Sequence, residues 1–108
     1  MIIYAHYKSP LFLLIPKRFT AIAIGNHIFF RRSFTSTALM AHEVCHCFQY
    51  EKYGFFGFLF KYLWFTYKHG YDFNPLELEA DRYAYEKHMH FSTIVSECFP
   101  MFHVVRLF

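Results

Sequence analysis

Charge is scarce in this 108-residue chain. Asp, Glu, Lys and Arg make up 18% of it, where soluble domains average about 25%. What charge there is has little bias. Eleven Lys and Arg stand against eight Asp and Glu, a net +3. The basic residues are scattered singly or in pairs, and without a stripe to track phosphates a nucleic-acid partner is not expected. Cysteine is scarce too. Cys45, Cys47 and Cys98 are too few, and odd in number, for a disulfide framework. Cys45 and Cys47 lie two residues apart in a helical pattern and cannot pair there without distortion. A reducing compartment is expected. Long apolar runs are missing. None reaches the roughly 18–20 uncharged residues of a spanning helix, and the longest, Tyr53 to Tyr67, is interrupted by Lys61. The opening MIIYAHYKSP has no basic segment ahead of an apolar run, so no secretory signal is expected. The expected location is cytoplasmic, with peripheral membrane association left open. Internal repeats, linkers and low-complexity segments are also lacking.

Aromatic residues are abundant. Sixteen Phe and nine Tyr supply ample area for a core, and so apolar a composition excludes a disordered chain. The length suits one domain, residues 1–108. Its first third reads as strands. Met1–Tyr7 and Leu11–Ile15 are apolar runs, and Thr20–Ile24 and His27–Arg31 flank Gly25-Asn26, a two-residue hairpin signal whose tip calls for positive φ. The period then changes. Phe34–Thr37 offers N-caps for a helix over Ala38–Tyr53, which Gly54 stops. A second helix is expected over Phe56–Lys68, closed by His69-Gly70. Asn74-Pro75 opens a third, running to about His88. The tail, Phe91–Phe108, is apolar and ambiguous, and Phe99–Phe108 is long enough to fold back over a cleft. Strands first and helices after argue an α+β fold: a small twisted N-terminal sheet packed on one helix and followed by two more. The Phe-rich stretch Phe55–Phe65 is expected to cover the sheet or the first helix. Its surplus apolar surface suits a partner or a membrane.

The chemistry concentrates in His42-Glu43-Val44-Cys45-His46, an HExxH motif inside the first helix. Residues four apart lie about 40° apart round a helix and one turn apart along it. Two imidazoles so placed can converge on one tetrahedral zinc. Glu43 lies about 100° from His42, where it flanks the metal and can take a proton from water. Two ligands are too few. The metzincin continuation needs glycine at 49 and histidine at 52, and this chain has Gln49 and Lys52. Downstream lies Asn74-Pro75-Leu76-Glu77-Leu78-Glu79-Ala80-Asp81-Arg82. Glu77 and Asp81 share a helix face, and Glu79 points about 200° from Glu77. With Glu77 as the ligand, Asp81 can accept the far N–H of a histidine ligand. Glu77 is therefore the preferred third ligand and Glu79 the alternative. A Cys/His cluster is disfavoured because Cys45 and Cys47 point to different faces, so they read as small buried hydrophobes. His6, His27, His69 and His103 have no partner at metal spacing and read as structural.

HExxH followed by ExxxD resembles the gluzincin metallopeptidases. The form ExEAD is similar to the CAAX-prenyl-protease and heat-shock-protease branch, and to the small soluble minigluzincins. The wider string, Ala41-His42-Glu43, Gln49-Tyr50, Gly54, Gly70-Tyr71 and Asn74-Pro75 through Ala80, is similar to small bacterial and phage proteins of that type. The resemblance implies a zincin-like fold and one zinc per chain, held by His42, His46 and Glu77. It implies Glu43 as general base and Asp81 as an orienting residue. It also implies that His27–Arg31 borders a cleft in which a peptide or protein substrate adds as a strand. The family's oxyanion-stabilising motif has no match here; Tyr71, Tyr85 and His88 are the candidates for that role. The expected activity is hydrolysis of peptide bonds by a metal-activated water. The rival expectations are a zinc-stabilised domain without catalysis and a membrane-associated accessory protein.

Overall fold

Short strands alternating inward and outward residues lead the chain, and three helices follow. The computed structural model describes residues 2–32, 36–87 and 103–106, the last four as backbone. Strand β1 (Ile2–His6) turns Ile3 and Ala5 inward; β3 (His27–Phe30) does the same with Ile28 and Phe30. Strand β2 (Ala21–Ile24) pairs antiparallel with β3, and β1 runs parallel to β3 on its other side. The hairpin turn needs only one positive φ, at Gly25 (63°), as in a type II′ turn. Asn26 serves another purpose: its side-chain amide donates to the Ile2 carbonyl at 2.9 Å, and its carbonyl accepts from Tyr4 N–H at 2.9 Å. The turn thereby stitches β1 to the hairpin.

The run Leu11–Ile15 does not form a strand. Pro10–Leu13 is a 3₁₀ turn with proline in its first turn, capped by Ser9 Oγ accepting from Leu11 N–H. Arg31 holds the surrounding loop. Its guanidinium donates to the carbonyls of Phe12, Ile15, Pro16 and Phe19 at 2.9–3.2 Å. Five donors in a rigid fork suit this clamp, which an ammonium could not match. A fourth strand comes from the tail: β4 (His103–Arg106) pairs parallel with β1, giving the order β2-β3-β1-β4. That part of the tail therefore lies at the sheet edge opposite β2; the rest of Phe91–Phe108 is outside the described residues.

Helix α1 (Thr37–Tyr53) begins at Ser36, whose Oγ accepts from Leu39 N–H, and ends at Gly54, φ 78°. It is buried on nearly all sides. Met40, Val44 and Cys47 pack on the sheet with Ile3, Ile28 and Phe30. Helix α2 (Phe55–His69) packs Phe58 against Tyr50 of α1 and Leu76 of the last helix. Its remaining large apolar residues are largely turned outward, so it covers the end of α1 and exposes its own far side. Helix α3 (Pro75–Lys87) lies along α1 and adds Ala84 to the main core. Its cap, Asn74, is fully buried. Asn74 Oδ1 accepts from Leu76 N–H, while its amide donates to the Tyr62 carbonyl and Thr66 Oγ1. One side chain thus starts α3 and ties it to α2, and leaving such buried groups unpaired costs about 1–3 kcal/mol each.

Candidate metal centre

Helix α1 presents His42, Glu43, His46 and Tyr50 to a cleft between β2 and the other two helices. The i, i+4 spacing brings the two imidazoles together edge to face, with ring planes 76° apart, and their Nε2 atoms lie 3.1 Å apart. Helix α3 brings Glu77 from the other side. Its Oε1 lies 3.0 Å from His42 Nε2 and 2.8 Å from His46 Nε2. Bonds of about 2.0–2.1 Å at a tetrahedral ion would set ligand atoms about 3.3 Å apart. Two imidazoles and a carboxylate, spaced 2.8–3.1 Å apart and so within about half an ångström of that, can hold a metal ion.

Outer contacts orient each of these three side chains. Asp81 Oδ1 lies 2.9 Å from His42 Nδ1. Gln49 Oε1 lies 2.9 Å from His46 Nδ1. These contacts leave both Nε2 atoms available to a metal ion. Gln49 is held in turn, its amide donating to Glu79 Oε1 at 2.7 Å and to the Leu76 carbonyl at 3.0 Å. Tyr62 O–H donates to the second Glu77 oxygen at 2.7 Å. Glu79 therefore faces Gln49 and is no member of the three-atom cluster. Sequence reasoning overlooked Gln49 and Tyr62. Gln49 sits three residues after His46, on its face, a spacing that marks neighbours on a helix. Tyr62 gave no such signal, because only the packing of α2 brings it to α3.

The charges sort themselves accordingly. Burial alone would raise the Glu77 pKa, yet hydrogen bonds from His42, His46 and Tyr62 hold it far below the usual carboxylate range. Burial would lower His42 and His46, but Glu77 and Glu43 outweigh it and raise both. Glu43 is 5% exposed and its carboxyl is pushed up by burial, against the pull of His46 and His42. Its Oε2 stands 4.0 Å from His42 Nε2, beside the cluster and outside it.

The cleft holds about 270 Å³ and is walled by Ala21–Ala23 of β2, Phe58 and Tyr62 of α2, and Tyr71. A more open hollow of about 410 Å³ continues past His42 and Glu43 toward Arg18 and Asp81. The strand at the cleft is β2. His27–Arg31 does not border it as expected, because β3 is enclosed between β2 and β1. The two-residue turn folds β2 back on the helix side, so the first strand of the hairpin becomes the edge. Of the three residues considered for stabilising an oxyanion, Tyr71 lines both hollows, and burial together with the Glu77 carboxylate pushes its hydroxyl up to about 12. Tyr85 is 82% exposed on α3 and does not line the cleft. His88 lies outside the described residues. Phe19 and Tyr71 meet edge to face, with the Arg18 guanidinium over both rings. Cys45 and Cys47 are buried and free, and burial pushes the Cys45 thiol up to about 12, which suits packing and not ligation.

Comparison with protein-family models, with curated proteins and with solved structures finds no match to this chain.

Proposed function

We propose that this chain is a gluzincin-like zinc peptidase in which His42, His46 and Glu77 hold one zinc and Glu43 is the general base. The observation that carries this reading is the convergence of Nε2, Nε2 and Oε1 from two helices, with a second, buried carboxyl, that of Glu43, standing beside them. A two-His, one-carboxylate set with an open side is a donor arrangement of catalytic zinc. When bound, the ion supplies Lewis acidity, lowering the pKa of a water and polarising a carbonyl. The chain does the rest. Glu43 takes the water's proton at its carboxylate and returns it to the departing amine. Asp81 and Gln49 keep the imidazoles in one tautomer and one orientation. Tyr71, which lines both hollows, is the hydroxyl donor to a developing oxyanion in this reading. The free edge of β2 offers backbone groups to an extended peptide or protein segment, and the two hollows that share His42 and Glu43 give it room. Buried free thiols at Cys45 and Cys47 suit a reducing, cytoplasmic setting.

The deciding experiment pairs metal content with cleavage of an unstructured protein. The native chain is expected to carry one zinc and to cleave. Glu43→Gln should keep the zinc and lose at least about a hundredfold in rate, the scale of general-base catalysis. Zinc bound with no cleavage that depends on Glu43 would leave a non-catalytic metal domain instead. A folded chain that takes up no zinc would overturn the reading altogether.

A further inference from the structure

Helix α2 carries a second feature that the metal centre does not use. Phe56, Phe60, Leu63, Trp64 and Tyr67 fall within about 100° of arc on one side of it. All five are exposed, Phe60 at 80% and Tyr67 at 86%. Hydrophobic side chains in contiguous stripes of this kind mark interaction sites. Lys61 and Lys68 follow immediately round the helix and are exposed. Lys52 of α1 joins them, since its Nζ and that of Lys61 both sit over the Tyr53 ring, at 5.2 and 5.1 Å. Helix α2 contains no acidic residue.

We infer that this face docks the protein onto an anionic lipid surface, with α2 lying in the plane of the interface. An apolar stripe of Phe, Leu, Trp and Tyr with lysines at its border is the composition that partitions to the headgroup boundary, where aromatic rings sit half in and half out and lysine stems reach back to phosphates. A second copy of the chain is the poorer occupant, because it would set the same lysine row against itself. The helix lies on the bilayer and does not cross it. Its 15 residues span only about 22 Å against a hydrocarbon core of about 30 Å. No helix among the described residues is long and apolar enough to cross a membrane. Leu63 of the stripe is one turn from Leu59, which lines the metal-site cleft. The docking face and the cleft wall are therefore neighbouring strips of one helix.

Trp64 is the chain's single tryptophan and lies within the stripe, so its emission reports docking directly. The full chain would be mixed with phosphatidylcholine vesicles with and without phosphatidylglycerol, and followed by Trp64 emission and co-sedimentation. A blue shift and co-sedimentation with the anionic vesicles are expected, with much weaker binding to the neutral ones. The paired change Lys61→Glu and Lys68→Glu should weaken anionic binding more than about tenfold, at about fivefold or more per lysine. Phe60→Ser with Leu63→Ser should abolish binding to both. Circular dichroism and thermal melting of each variant establish that it is folded. These readouts do not depend on zinc or on cleavage. The inference is overturned if the native chain binds neither vesicle. It is equally overturned if binding is indifferent to lipid charge. Self-association through this face in the absence of lipid would assign it to a second copy. Trp64 protected from acrylamide in the lipid-free monomer would show the face covered by the chain itself.

Discussion

Two histidine pairs in this molecule have nearly the same nitrogen separation, and their surroundings give them opposite properties. His42 and His46 approach to 3.1 Å, and His6 and His27 to 3.0 Å. The first pair, on successive turns of α1, meets Glu77 from α3 and has Glu43 beside it. The second spans two adjacent strands on the outer face of the sheet, between the rings of Tyr4 and Phe29. Among the described residues no acid or thiol joins it. The consequence appears in the protons. The carboxylates raise His42 and His46, whereas burial and the neighbouring His27 lower His6. Close imidazoles alone therefore do not make a metal centre. What sets His42 and His46 apart as a candidate site is the Glu77 carboxylate they share and the groups holding their far nitrogens.

The comparison breaks most sharply by removing ligands. Glu77→Ala should weaken zinc by more than about a hundredfold, since outer partners alone are worth tenfold to a hundredfold. Glu79→Ala should stay within about tenfold, because Glu79 reaches the site only through Gln49. Titration with zinc and a competing chelator reads both, and the reverse order would make Glu79 the ligand.

Acidity should sharpen it next. Zinc must displace protons from His42 and His46, so its affinity should fall as pH drops below their raised values, by up to about a hundredfold per unit for two protons. In the metal-free chain, NMR should find His6 titrating below 6.5 and the two motif histidines above it. The stability signs follow. The contribution of His42 and His46 is present below 6.5 and is lost as pH rises through their folded values. That of His6 is present above 6.5 and is lost as pH falls through its folded value.

The orienting residues rank third. Asp81→Ala and Gln49→Ala should each cost about tenfold to a hundredfold in zinc affinity, with no loss of the one-to-one stoichiometry in excess metal. An unchanged affinity in both would mean the 2.9 Å contacts do not restrain the ligands. The smallest effect belongs to the other pair. His6→Ala and His27→Ala should leave zinc stoichiometry unchanged and shift stability by about 1 kcal/mol, the usual scale of a point substitution.

Much of this molecule was legible in one dimension because its signals are local. The hairpin follows from Gly25-Asn26, the start of α3 from Asn74-Pro75, and the facing of His42 and His46 from a four-residue spacing on a 3.6-residue helix. Glu77 was favoured over Glu79 by the same angular reasoning. Those features depend on neighbours in the chain, and backbone geometry carries them. The remainder depends on elements meeting across long stretches of sequence. Ser9-Pro10 and the four carbonyl contacts of Arg31 turned the expected strand over Leu11–Ile15 into a capped loop. Strand order made β2, not His27–Arg31, the edge beside the cleft. Packing of α2 brought Tyr62 to Glu77 and left Phe56, Phe60 and Trp64 outward. Helical spacing can say which side chains share a face. Which face is buried, against which carboxylate, and which edge stays open depends on how helices and strands pack, and that was decided only by the folded chain.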